Sequence, residues 1–178
     1  PSFIRFLVQS VLFSLLVACT LTQPPPTNSA ATDLRFVADT VRQIHPALSG
    51  TGPTRQAFDL LAQALEAKTS AATTPIEVYA LSSRLLASLH DGHSLMFPSN
   101  AEKNLPLRFQ WLVDGLVIAQ TVESLGLEPG DEVLKLGGIT PTMLLEKLRP
   151  FIPAENDGHI RALGAWLLPN ANLLEALG

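Results

Sequence analysis

Apolar residues recur at helical spacing through the first half of the chain and switch to strand-like alternation beyond about residue 105. From Thr32-Asp33, the positions Leu34, Val37, Val41 and Ile44 predict one helical face. It stops near His45, because Pro46 disfavours helical geometry in the residue before it. The loop Ser49-Gly50-Thr51-Gly52-Pro53 leads to Thr54, which can cap a second helix with Phe58, Leu61 and Leu65 inward. Thr74-Pro75-Ile76-Glu77 is a helix start: a capping threonine, proline at the first helical position and glutamate at the third. That helix carries Val78, Leu81, Leu85 and Leu89 and runs into His90-Asp91-Gly92-His93.

Residues Leu107 to Val113 and Leu116 to Val122 flank Asp114-Gly115, a strong hairpin signal. Glu128-Pro129-Gly130-Asp131 reads as a turn, Glu132 to Leu136 as a strand, and Gly137-Gly138 as a second tight turn. Thr140-Pro141 starts a short helix with Leu144, Leu145 and Leu148. Another helix spans about Asn156 to Leu167, before Pro169, and a last helical segment covers Asn172 to Leu177. The fold class is therefore α+β. Phe109 and Trp111 share a strand face and read as core, Trp166 as a packing residue and His159 as facing solvent.

The first residues follow a different logic. The run Phe6 to Val17 is apolar apart from Gln9, Ser10 and Ser14, follows Arg5, and is short for a membrane span. It suits a signal peptide over residues 1–18, ending in Leu16-Val17-Ala18-Cys19, which resembles a bacterial lipobox. Acyl chains on Cys19 would anchor the protein to a membrane, each buried methylene adding ~0.8 kcal/mol. Residues 19–32 are rich in Pro, Thr, Ser and Ala and read as a tether. Cys19 is the single cysteine, so no intrachain disulfide supports the fold. With a net charge of −4, nothing here resembles a nucleic-acid binder, which needs a basic face to neutralise phosphates.

Beyond the tether, residues 33–93 read as a helical subdomain, 94–150 as a β-rich unit and 151–178 as helical. The candidate chemistry centres on His93. A histidine beside the carboxylate of Asp91 suits general acid–base work, with Gly92 letting the chain turn so that the imidazole faces a cleft. The same residues also fit a polar turn at a helix C-terminus, the histidine stabilised by the helix dipole. His90 and His93 lack further ligands at recognisable spacing, so no metal and no organic cofactor is expected. His45 reads as a helix-end residue.

Ile44-His45-Pro46, the stretch Leu85 to Ser94 with its Asp91-Gly92-His93-Ser94 step, Trp111 with Asp114-Gly115, Leu127 to Gly138, and Ile152 to Asn156 together resemble the N-terminal part of the tail-specific, or C-terminal processing, serine peptidases. The resemblance implies that His93 is the general base toward a serine nucleophile, with Asp91, Gly92 and His90 as orienting or scaffold residues. Other branches of that family use a Ser-Lys pair instead. It also implies that the serine lies in a downstream α/β domain, since no Gly-x-Ser-x-Gly elbow occurs here. The intact protein would then cleave peptide or protein substrates in the cell envelope, while this portion alone would be inactive. Gly130 to Gly138 is in addition similar to the strand and turn near the peptide groove of PDZ domains. That implies either binding of peptide termini or a compact unit bracing a catalytic domain. On the peptidase reading, Leu163, Trp166, Leu167, Leu173 and Leu174 would present apolar faces to that missing domain, leaving the fragment marginally stable and prone to associate.

Overall fold

The structure, a computed structural model, describes residues 29–97 and 104–176. Cys19, the apolar run before it and the tether up to residue 28 lie outside the described residues. Among the described residues the fold has six α-helices and one hairpin: α1 (Ser29–Ile44), α2 (Pro53–Glu66), α3 (Pro75–Ala87), β1 (Arg108–Trp111), β2 (Leu116–Gln120), α4 (Pro141–Leu148), α5 (Asp157–Leu167) and α6 (Ala171–Ala176). This is an α+β arrangement with a small antiparallel sheet. None of the described helices is long and apolar enough to cross a membrane.

Helix α1 is already formed at Ser29, inside the stretch read as tether, and Ala30 extends the buried row Ala30, Leu34, Ala38. Ile44 falls off that row and is 73% exposed, contrary to the sequence expectation. Helix α2 starts at Pro53 rather than after Thr54. Gly52 occupies the cap position and proline the first helical position, where its missing N–H costs nothing. The Thr74 box forms as predicted: the Thr74 N–H donates to Glu77 Oε2 at 2.7 Å, and the Glu77 N–H donates to Thr74 Oγ1 at 3.4 Å.

The hairpin is shorter than its sequence signal. Trp111 pairs with Leu116, and the Leu112 N–H donates to the Gly115 carbonyl at 2.8 Å, so residues 112–115 form the loop. A register shift between Arg108 and Phe109 disrupts the other end. The predicted strand over Glu132 to Leu136 forms no ladder of its own. It touches the free side of β2 through the Val117–Glu132 bridge and the bonds from Ile118 N to Asp131 O and from Val133 N to Leu116 O, each 2.9 Å. Thr140 caps α4 and Asn156 caps α5 through their side chains, as the sequence indicates.

Two apolar cores result. Leu34, Ala38, Leu48, Phe58, Leu65 and Leu85 fill the first, among α1, α2 and α3. Arg42 rims it, donating to Asp59 at 2.6 Å and lying 5.7 Å from the Phe58 ring centroid. The second joins Tyr79 of α3 to Phe109, Ile118, Leu148, Ile160 and Leu168. Helix α3 serves both, which explains why Tyr79, Ser82, Ser83, Leu85 and Leu86 are all buried on what was expected to be a one-faced helix.

The C-terminal helices depart from expectation. Leu167 and Leu173 are buried, and Leu163 and Leu174 pack against the second core. Only Trp166 of the five residues is substantially open, at 48%, and it makes an edge-on contact with Phe97 at 5.2 Å. Gly164 lets α5 approach α4, since a Cβ there would sit 2.8 Å from Leu145 Cδ1. The apolar faces predicted to await another domain are mostly satisfied within this chain. Phe109 and Trp111 belong to the core region as predicted, with the Arg161 guanidinium 5.7 Å from the Trp111 ring centroid.

Candidate functional site

Helix α3 ends in a tight turn. The Leu89 and His90 N–H groups bond back to Leu86 and Ala87, and His90 then adopts a left-handed backbone, φ 53°. This reversal delivers Asp91 to the surface beside the end of α1. The Asp91 side chain accepts from the His93 N–H at 3.0 Å through Oδ1 and from the Ser94 hydroxyl at 2.8 Å through Oδ2. His45 Nε2 lies 3.1 Å from the same Oδ2. The Ala47 N–H donates to His45 Nδ1 at 3.2 Å, so in the neutral ring the proton sits on Nε2 and points at Asp91.

His93 Nδ1 stands 3.4 Å from Asp91 Oδ1, while the side chain is 91% exposed. The carboxylate stands nearer Nδ1, and most of the ring lies in solvent. The His93 N–H, the Ser94 hydroxyl and the His45 ring together hold the Asp91 carboxyl well below the usual carboxylate range. Both Asp91 oxygens are thus engaged by donors from its own turn and from the end of α1.

Gly92 lies in the turn, as expected, and has a further role. It does not supply a positive φ; that belongs to His90. Gly92 is instead required for close approach, since a Cβ there would overlap Cε1 and Nδ1 of the His159 ring. His159, expected to face solvent, is half-buried against this glycine. Glu155 comes in from the segment before α5, placing ligand atoms of Asp91, His93 and Glu155 within 4.8 Å of one another. For a metal ion this trio is poorly prepared. Both Asp91 oxygens are already committed to internal donors, which leaves one imidazole and one exposed carboxylate.

Three of the chain's four histidines, together with Asp91 and Glu155, thus gather where the ends of α1 and α3 meet the start of α5. Sequence reasoning found Asp91, Gly92 and His93. It missed His45, Glu155 and His159, although His45 and Glu155 lie in stretches already singled out. The Ser94 hydroxyl is committed to Asp91.

A separate groove of ≈ 790 Å³ opens between the hairpin and α5, lined by Phe97, Leu107, Phe109, Gln120, Trp166 and Asn170 among others. Neither the histidine cluster nor Gly130 to Gly138 forms its wall. No protein-family model, no curated protein and no solved structure matches this chain.

Proposed function

We propose that this chain is the N-terminal portion of a lipid-anchored, serine-type peptidase of the tail-specific kind, working outside the cytoplasm on peptide or protein substrates. Cys19 carries the lipid. His93 is the general base, Asp91 orients it, and the serine nucleophile comes from a part of the polypeptide beyond these residues. The observation that carries this reading is convergence. His45, Asp91 and Glu155, from three separated stretches of the sequence, come together beside the exposed imidazole of His93. A carboxylate 3.4 Å from Nδ1 of a largely exposed histidine suits the base half of a Ser-His-acid arrangement. The solvent exposure of His93 supports a partner surface arriving from elsewhere, and this portion alone is inactive for want of a nucleophile and an oxyanion hole.

The test is hydrolysis of an unstructured peptide by the full-length polypeptide and its His93→Ala variant. Removing the base should lower kcat by about 10²–10⁴-fold. Undiminished turnover would point to a Ser-Lys mechanism and defeat the assignment of His93.

The groove beside α5 favours a second reading, a non-catalytic lipoprotein that captures peptide termini. Its mixed apolar and polar lining, with the unpaired side of β1 close by, suits an extended chain. Saturable binding of a C-terminal peptide, without cleavage by the full-length polypeptide, would favour it.

A further inference from the structure

We infer that His45 is the positioning residue for His93, acting through Asp91; the inference rests on the reading of His93 as general base. Asp91 takes four approaches, two on each oxygen. Three come from its own turn, from the His93 N–H, the His93 ring and the Ser94 hydroxyl. Bonds of that kind fix the local shape of the turn, but they would move with it. The fourth, from His45, crosses 46 residues and ties the carboxylate to the end of α1. It ties the orienting oxygen to a second element, beyond the α3 end from which the turn itself grows.

The chemistry of His45 fits this task. Its side chain is 12% exposed, against 91% for His93, so one ring is packed and the other is available. The backbone N–H of Ala47 occupies Nδ1, which assigns the ring proton to Nε2 and makes His45 a donor of fixed direction. Pro46 follows at the first position of a short 3₁₀ turn over 46–48, whose N-cap is His45 itself. With Oδ2 held by His45 and Ser94, Oδ1 is presented to His93 Nδ1. This selects the tautomer that leaves Nε2 able to accept a proton.

Two variants separate positioning from bulk packing. His45→Phe keeps a ring and removes the donor, whereas the amide of His45→Gln can restore an N–H near the Nε2 position. In the full-length polypeptide, His45→Phe should lower kcat by roughly 10–10²-fold with KM little changed, since a displacement of about 1 Å can cost that much. His45→Gln should recover most of the loss. In parallel, nitrogen-15 NMR of this chain should show His45 protonated on Nε2, and His93 should lose its preference for the Nδ1–H form in His45→Phe. If His93→Ala abolishes turnover while His45→Phe preserves both kcat and the His93 tautomer, the positioning role is overturned. If His93→Ala itself leaves turnover intact, the failure belongs to the underlying reading. The NMR result on this chain still decides whether His45 orders the His93 ring.

Discussion

His45 Nε2 and Asp91 Oδ2 lie 3.1 Å apart across 46 residues of chain, joining the ends of α1 and α3. The bond fixes Asp91 from outside its own turn, while the His93 N–H and the Ser94 hydroxyl fix it from within. Because these donors favour the ionised carboxylate, Asp91 titrates below its ordinary range when folded. A carboxyl with a depressed folded pKa contributes stability at every pH above its unfolded value, about 3.9, and loses it as pH falls toward the folded value. Urea midpoints should therefore be insensitive to Asp91 between neutrality and about pH 5. Below that they should fall with a slope that Asp91→Asn makes shallower. The change is partial, because Asp59, Glu77 and Asp157 are also lowered. An unchanged acid limb in Asp91→Asn would count against the network.

Gly92→Ala should cost about 1–3 kcal/mol, the usual penalty for forcing a methyl group into packed space. The opposing group is the His159 ring, so the cost should shrink in a His159→Ala background. A double-mutant cycle by denaturant unfolding measures this, and simple additivity would contradict the contact.

His90→Gly should stabilise the fold by about 0.5–1 kcal/mol, because a left-handed backbone strains a side chain and suits glycine at a helix end. Thermal melting of the two proteins gives the answer, and a lower midpoint in the variant would show that the His90 side chain contributes more than its backbone costs.

Thr74→Ala should remove about 1 kcal/mol, since it deletes the threonine half of the capping box at the start of α3. The comparison is again a denaturation midpoint, with Thr74→Ser expected to retain most of the stability.

Leu173→Ala should cost about 2–5 kcal/mol, the range for a buried leucine truncated in a core. At 1% exposure, Leu173 reports whether α6 is docked. A loss below about 0.5 kcal/mol, the size of an ordinary surface substitution, would revive the expectation of an unsatisfied C-terminal face.

The starts of α3, α4 and α5 were legible, because Thr74, Thr140 and Asn156 act on backbone groups three residues away. The sequence overstated the strands. Hydrophobic alternation specifies a face, whereas the length of a ladder depends on its neighbour, and the 132–136 stretch meets β2 at one bridge only. The helix faces after Asn156 were read as waiting for a partner, since a pattern of leucines does not say which core receives them. At the site, Asp91 and His93 were legible as near neighbours in sequence. His45, Glu155 and His159 were not, because their proximity is created by the packing of helices 46 and more residues apart. The turn at Gly92 was legible, whereas its contact with His159 was not, as close approach by a distant ring leaves no local signature.

Helix α3 has apolar neighbours on two sides, one core holding Leu85 and the other Tyr79. Neither half of the molecule can shed this helix and keep its interior closed. Amide hydrogens along its middle should therefore exchange only through global opening, while the outer helices open on their own. The turn carrying His93 grows from the end of that slowest-exchanging segment, so the geometry of the imidazole is anchored in the part of the chain least able to breathe.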